Sequence, residues 1–113
     1  MITSKNLTIP IFDYKLTIVI FDKWEELEPY LSKEQFAIKS RGITIEGDGA
    51  AWVAIGSKFG STITHESVHI KNCIWKYIGY KPQVDNDEVD AYLVTYIYNK
   101  ITDVYYKHGS NSK

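Results

Sequence analysis

With 113 residues, 44% hydrophobic and 24% charged, the chain has the size and composition of one folded domain and no room for a second. Thirteen basic residues against fourteen acidic ones leave a net charge of −1, which excludes the basic footprint of a nucleic-acid binder. A single cysteine, Cys73, excludes an internal disulfide framework, and no run approaches the roughly 18 apolar residues needed to span a membrane.

Residues 1–6 carry neither the apolar stretch nor the small-residue cleavage site of a secretory signal, so the expected location is a cytoplasm. Residues 9–12 and 16–21 are β-branched and aromatic runs that predict two strands, with Asp13, Tyr14 and Lys15 as the turn between them. Both faces of 16–21 are largely apolar, as expected of an inner strand covered on two sides. Asp22, with Glu25 three residues on, reads as a capping box opening a helix that buries Trp24, Leu27 and Leu31 and that Pro29 ends or bends. Residues 42–46 and 51–55 flank Gly47-Asp48-Gly49 and predict a hairpin.

The second half is helical. Residues 62–78 place Ile63, Val68, Ile70, Ile74, Trp75 and Ile78 on an apolar face, with Gly79 available to end the helix and Pro82 beyond it. A further helix starts near Asn86 and buries Val89, Leu93, Ile97, Ile101 and Val104 at helical spacing. Residues 109–113 are expected to fray, leaving 1–108 as the domain. Strands precede helices, so the expected class is α+β, with a small mixed sheet of about three to four strands.

The segment His65-Glu66-Ser67-Val68-His69 is the HExxH pattern of zinc-dependent hydrolases. Residues four apart share a helix face, so both imidazoles can reach one metal, and Glu66 can handle the proton of a metal-bound water. A hydrolytic zinc takes three protein ligands and keeps a position open for water. The start of the last helix offers Asp85, Asp87, Glu88 and Asp90, of which Glu88 is preferred because its face flanks the buried stripe. Asp87 and Asp90 are placed to accept a histidine N–H. Spacing alone leaves Glu88 open between ligand and helix cap, since Asp85 and Glu88 also form a capping box. Likewise the two histidines can be read as a solvated helix face. Cys73 is two turns beyond His65, roughly 12 Å along the axis, and reads as a small buried residue. His108 reads as solvated. Tyr92, one turn after Glu88, is either an oxyanion donor or, the blander reading, part of the core. The strand 51–55, if it lies at a sheet edge, could align an extended peptide; burial by a neighbour is the alternative.

The HESVH helix followed by Asp87-Glu88-Val89-Asp90-Ala91-Tyr92-Leu93 resembles the small zincin-like peptidases encoded by bacteriophages and prophages, over about residues 50–100. Polar Ser67, Asn72 and Lys76 on the helix depart from that pattern without touching a ligand. The resemblance implies a minimal zincin fold of gluzincin type, with His65, His69 and Glu88 holding Zn²⁺ and Glu66 as catalytic acid/base. The expectation is then a zinc metallopeptidase acting on a peptide or protein, in the host cytoplasm if phage-encoded. So short a chain lacks the second lobe that usually walls a deep cleft, which points to a shallow groove and dependence on a phage or host partner or on self-association. The rival expectation is a non-catalytic, zinc-stabilised interaction or virion-assembly module; a chain holding no metal is the third.

Overall fold

The most apolar segment of the chain becomes the middle of its sheet. A computed structural model describes residues 1–109. It contains strands β1 (Ile2–Ile9), β2 (Tyr14–Phe21), β3 (Gly42–Gly47) and β4 (Ala50–Gly56), and helices α1 (Lys33–Ile38), α2 (Thr62–Ile78) and α3 (Glu88–Lys107). A 3-10 helix, Trp24–Tyr30, precedes α1. The sheet order is β1-β2-β4-β3, with β2 and β4 parallel and the two outer pairs antiparallel. The class is therefore α+β with a mixed sheet of four strands.

Alternation along β2 and β4 divides the molecule into layers. Leu16, Ile18, Ile20, Val53 and Ile55 face α2 and α3, where they meet Ile63, Ile70, Ile74, Trp75, Leu93, Ile97 and Ile101. Val19, Phe21 and Ala54 face the opposite way, onto Trp24 and Leu27 of the 3-10 helix. The Trp24 indole N–H donates to the Phe36 carbonyl at 2.8 Å and ties that layer to α1. Burial on both faces explains why residues 16–21 of β2 are largely apolar on both sides.

Several elements differ from the sequence reading. The first strand is Ile2–Ile9, and Pro10, Ile11 and Phe12 form the turn instead. Ile11 sits at φ 75° and Asp13 at φ 50°, a left-handed turn that no local propensity of Ile signals. The anticipated helix after Asp22 is a 3-10 segment, and it is Glu26, rather than Glu25, whose carboxylate accepts the Asp22 and Lys23 N–H groups. α1 was not anticipated, although Ser32 and Gln35 cap it reciprocally. The strand at 51–55 is interior; β1 and β3 are the edges. In α2, Val68 and Ile78 are exposed while Ser67 and Lys71 are buried. α3 buries Leu93, Ile97, Ile101 and Val104 as expected, but Val89 is 56% exposed.

Two helix ends fix the geometry of the α2–α3 hairpin. Gly79, at φ 78°, closes α2 in a Schellman arrangement, with Tyr80 N–H bonding the Trp75 carbonyl at 2.9 Å. At the other end of the turn, Asp90 accepts from Trp75 Nε1 at 2.5 Å and pairs with Lys71 Nζ at 3.0 Å. His108 is not solvated: its side chain is 8% exposed, bonded to Thr3 at 2.7 Å and Asp22 at 2.8 Å. This contact ties the end of α3 to β1 and to the end of β2. The expected fraying of 109–113 falls, beyond Gly109, outside the described residues. Among the described residues no helix is long and apolar enough to cross a membrane.

Candidate functional site

α2 crosses the sheet beside its edge strand, and the HExxH segment lies where helix and strand meet. His65 and His69, four residues apart, stand one above the other with their Nε2 atoms 3.1 Å apart. Two nitrogens bound to one tetrahedral zinc at about 2.0–2.1 Å are separated by about 3.4 Å. The observed 3.1 Å is a hydrogen bond between the two rings, and it lies close to that spacing. His65 has 69% of its side chain exposed, so the ring can turn without disturbing the core.

Glu66 has a different environment. It is 4% exposed, and its Oε1 accepts a 2.7 Å hydrogen bond from the Thr44 hydroxyl on β3. Its Oε2 lies 3.9 Å from His65 Nε2. One carboxylate oxygen is thus anchored to the strand and the other lies nearer the His65 imidazole. Gly42, two residues before Thr44 on the same strand face, makes room for it. A Cβ there would lie 3.3 Å from Glu66 Cγ and 2.5 Å from the Thr62 methyl.

These residues line a groove of about 500 Å³ between β3 and α2, with Ile38 and Ser40 at one side and Glu46 and Lys76 at the other. Lys76 and Glu46 are paired at 3.2 Å and close that end. Cys73 contributes a half-buried wall, and burial first, then the Glu46 charge, pushes its thiol pKa up. That disfavours the thiolate, the nucleophilic form of the side chain.

The structure assembles His65, Glu66 and His69, but it does not bring Glu88 or Tyr92 to them. Among the described residues no third His, Cys, Asp or Glu joins the two histidines in a group that could hold a metal. The reason is the Asp90 contact. Lys71 stands about 200° around the helix from His69, so the first turn of α3 docks on the side of α2 away from the groove. Glu88 is exposed there, and α3 opens at Glu88 with Asp87 rather than Asp85 as its N-cap, so the anticipated box from Asp85 to Glu88 is not the cap of this helix. Asp90 serves Trp75 and Lys71 in place of a histidine N–H. Tyr92 is 70% exposed and lines a separate apolar groove with Ile11, Phe12, Trp75, Val89 and Tyr96, in neither of its expected roles.

Sequence reasoning missed Thr44 and Gly42. Only the alternation of β3, once its edge position beside α2 is known, puts both on the face towards Glu66. No family model, no curated protein and no solved structure matches the chain.

Proposed function

We propose that the chain is a zinc-dependent peptidase in which His65 and His69 supply two metal ligands and Glu66 carries the proton. The observation that supports this most directly is the 3.1 Å approach of two exposed imidazole nitrogens beside a buried, anchored carboxylate. The metal, when bound, lowers the pKa of its water towards about 7 and polarises the scissile carbonyl. Glu66 takes a proton on Oε2, the oxygen that Thr44 leaves available, and returns it to the leaving amine. An extended peptide fits the unpaired edge of β3, which runs along the groove and offers backbone hydrogen bonds. On the resemblance to phage-encoded zincin-like peptidases, we propose that such a substrate is a phage or host protein.

Glu88 is the third ligand in this reading, and it reaches the pair only if the first turn of α3 leaves Trp75 and Lys71. The exposed, two-histidine character of the site favours a second reading: a zinc-stabilised interaction module whose remaining ligands come from a partner. One pair of proteins separates the two. Wild type and Glu66→Gln are titrated with zinc by calorimetry and incubated with a broad peptide library. The peptidase reading expects one zinc per chain in both, within about threefold in affinity, with hydrolysis falling at least about 100-fold in the variant. Zinc binding without hydrolysis by either protein leaves the module reading; no zinc binding by the chain alone removes the peptidase reading.

A further inference from the structure

We infer that Thr44 is a positioning residue for Glu66, holding its carboxylate in the orientation that proton transfer requires; its catalytic consequence rests on the peptidase reading above. Three features carry this. The Thr44 hydroxyl donates to Glu66 Oε1 at 2.7 Å, the length of a charge-assisted O–H···O⁻ bond. Glu66 is 4% exposed, so few waters compete for that oxygen, and the bond rather than solvent fixes the rotamer. Thr44 is itself held, because β3 pairs with β4 in a register that sets Thr44 opposite Val53, and Val53 is fully buried.

The slot is shaped from the same strand. Gly42 lacks the Cβ that would press on Glu66 Cγ, and Thr44, two residues on, supplies the donor at the slot's far end. Strand alternation thus delivers a gap and a hydrogen bond to one side chain of the neighbouring helix. The result is that Oε1 is committed to the protein and Oε2 is left 3.9 Å from His65 Nε2, on the groove side. A carboxylate free to rotate would spend much of its time with neither oxygen there, and misplacement of about 1 Å is enough to slow a reaction by roughly 100-fold.

The test uses Thr44→Val, which keeps the shape and removes the hydroxyl, and Thr44→Ser, which keeps the hydroxyl. In metal-free protein, urea unfolding of wild type, Thr44→Val, Glu66→Ala and the double variant forms a cycle. A coupling of at least about tenfold in the unfolding constant is expected, because a bond to a charged group is being removed. In zinc-loaded protein, Thr44→Val is expected to lower kcat by about 10- to 100-fold at unchanged KM and zinc affinity, and Thr44→Ser to recover most of the loss. An additive cycle, or a serine variant as impaired as the valine one, with wild-type hydrolysis intact, overturns the positioning role alone. Coupling without hydrolysis by wild type overturns it together with the peptidase reading.

Discussion

Replacing Asp90 with alanine tests both the architecture of the helical hairpin and the identity of the third ligand. The carboxylate pairs with Lys71, whose side chain is 11% exposed, and accepts from the Trp75 indole. Removing it leaves a nearly buried ammonium unpaired. For a fully buried pair that costs about 3–5 kcal/mol, and the 22% exposure of Asp90 admits water and lowers the figure. The orphaned indole N–H adds about 1 kcal/mol at the low end of its range. A total near 3 kcal/mol is expected from urea unfolding of the metal-free protein, and about half of that for Asp90→Asn, which retains an acceptor. The effect on zinc has the opposite sign. If Glu88 reaches the histidines only when this anchorage breaks, wild type expends that energy on binding and Asp90→Ala does not. Zinc affinity should then rise by about 100-fold, since each 1.4 kcal/mol is tenfold. A stability loss below about 0.5 kcal/mol refutes the anchorage. A destabilised variant with unchanged zinc affinity refutes Glu88 as a ligand recruited by movement of α3.

The remaining expectations are simpler. His65→Ala and His69→Ala should each weaken zinc binding at least about 100-fold by calorimetry, while His65→Ala leaves the urea midpoint nearly unmoved because its ring is largely exposed. Asp22 is held at about 2, below its ordinary 3.8, by hydrogen bonds from His108 first and Ser57 second. The unfolded chain therefore takes up that proton first as pH falls, so the contribution is complete above about pH 4 and lost towards pH 2. Asp22→Asn should flatten the fall in stability across that window; an unchanged slope would contradict the contact. Gly79→Ala should cost about 1–2 kcal/mol in urea unfolding, a backbone cost, because φ is 78° and a Cβ there would meet nothing within 4 Å. Gly42→Ala should cost about 1–3 kcal/mol through crowding of Thr62 and Glu66. An unchanged unfolding midpoint would show the slot to be slack.

What the sequence disclosed follows from how far apart the cooperating residues lie. The Gly47-Asp48-Gly49 hairpin, the Gly79 stop of α2 and the stripe from Leu93 to Val104 are set by neighbours within a few turns, and all three form where expected. β1 escaped because an edge strand with Ser4, Lys5 and Asn6 exposed in succession lacks the apolar alternation that marks a half-buried one. The apolar run beside it, Pro10 to Phe12, imitates a strand yet serves as a turn, since its conformation is imposed by the pairing of Ile9 with Tyr14. The sequence puts His108 in solvent because its partners, Thr3 and Asp22, are 105 and 86 residues away.

The HExxH motif itself shows the same division within five residues. An i, i+4 spacing brings His65 and His69 together by helix geometry alone, whatever the helix packs against. Glu66 stands about 100° from His65, and that rotation carries it from the solvated side of α2 to the side that meets the sheet. Its burial, its hydrogen bond and the direction of its second oxygen are therefore decided by β3. In the proposed reading, the imidazoles that would hold a metal are placed by secondary structure, and the carboxylate that would carry the proton is placed by tertiary structure. A variant that loosens the β3–β4 pairing should then retain zinc and lose hydrolysis, because the strand holds the carboxylate and the helix alone holds the imidazoles.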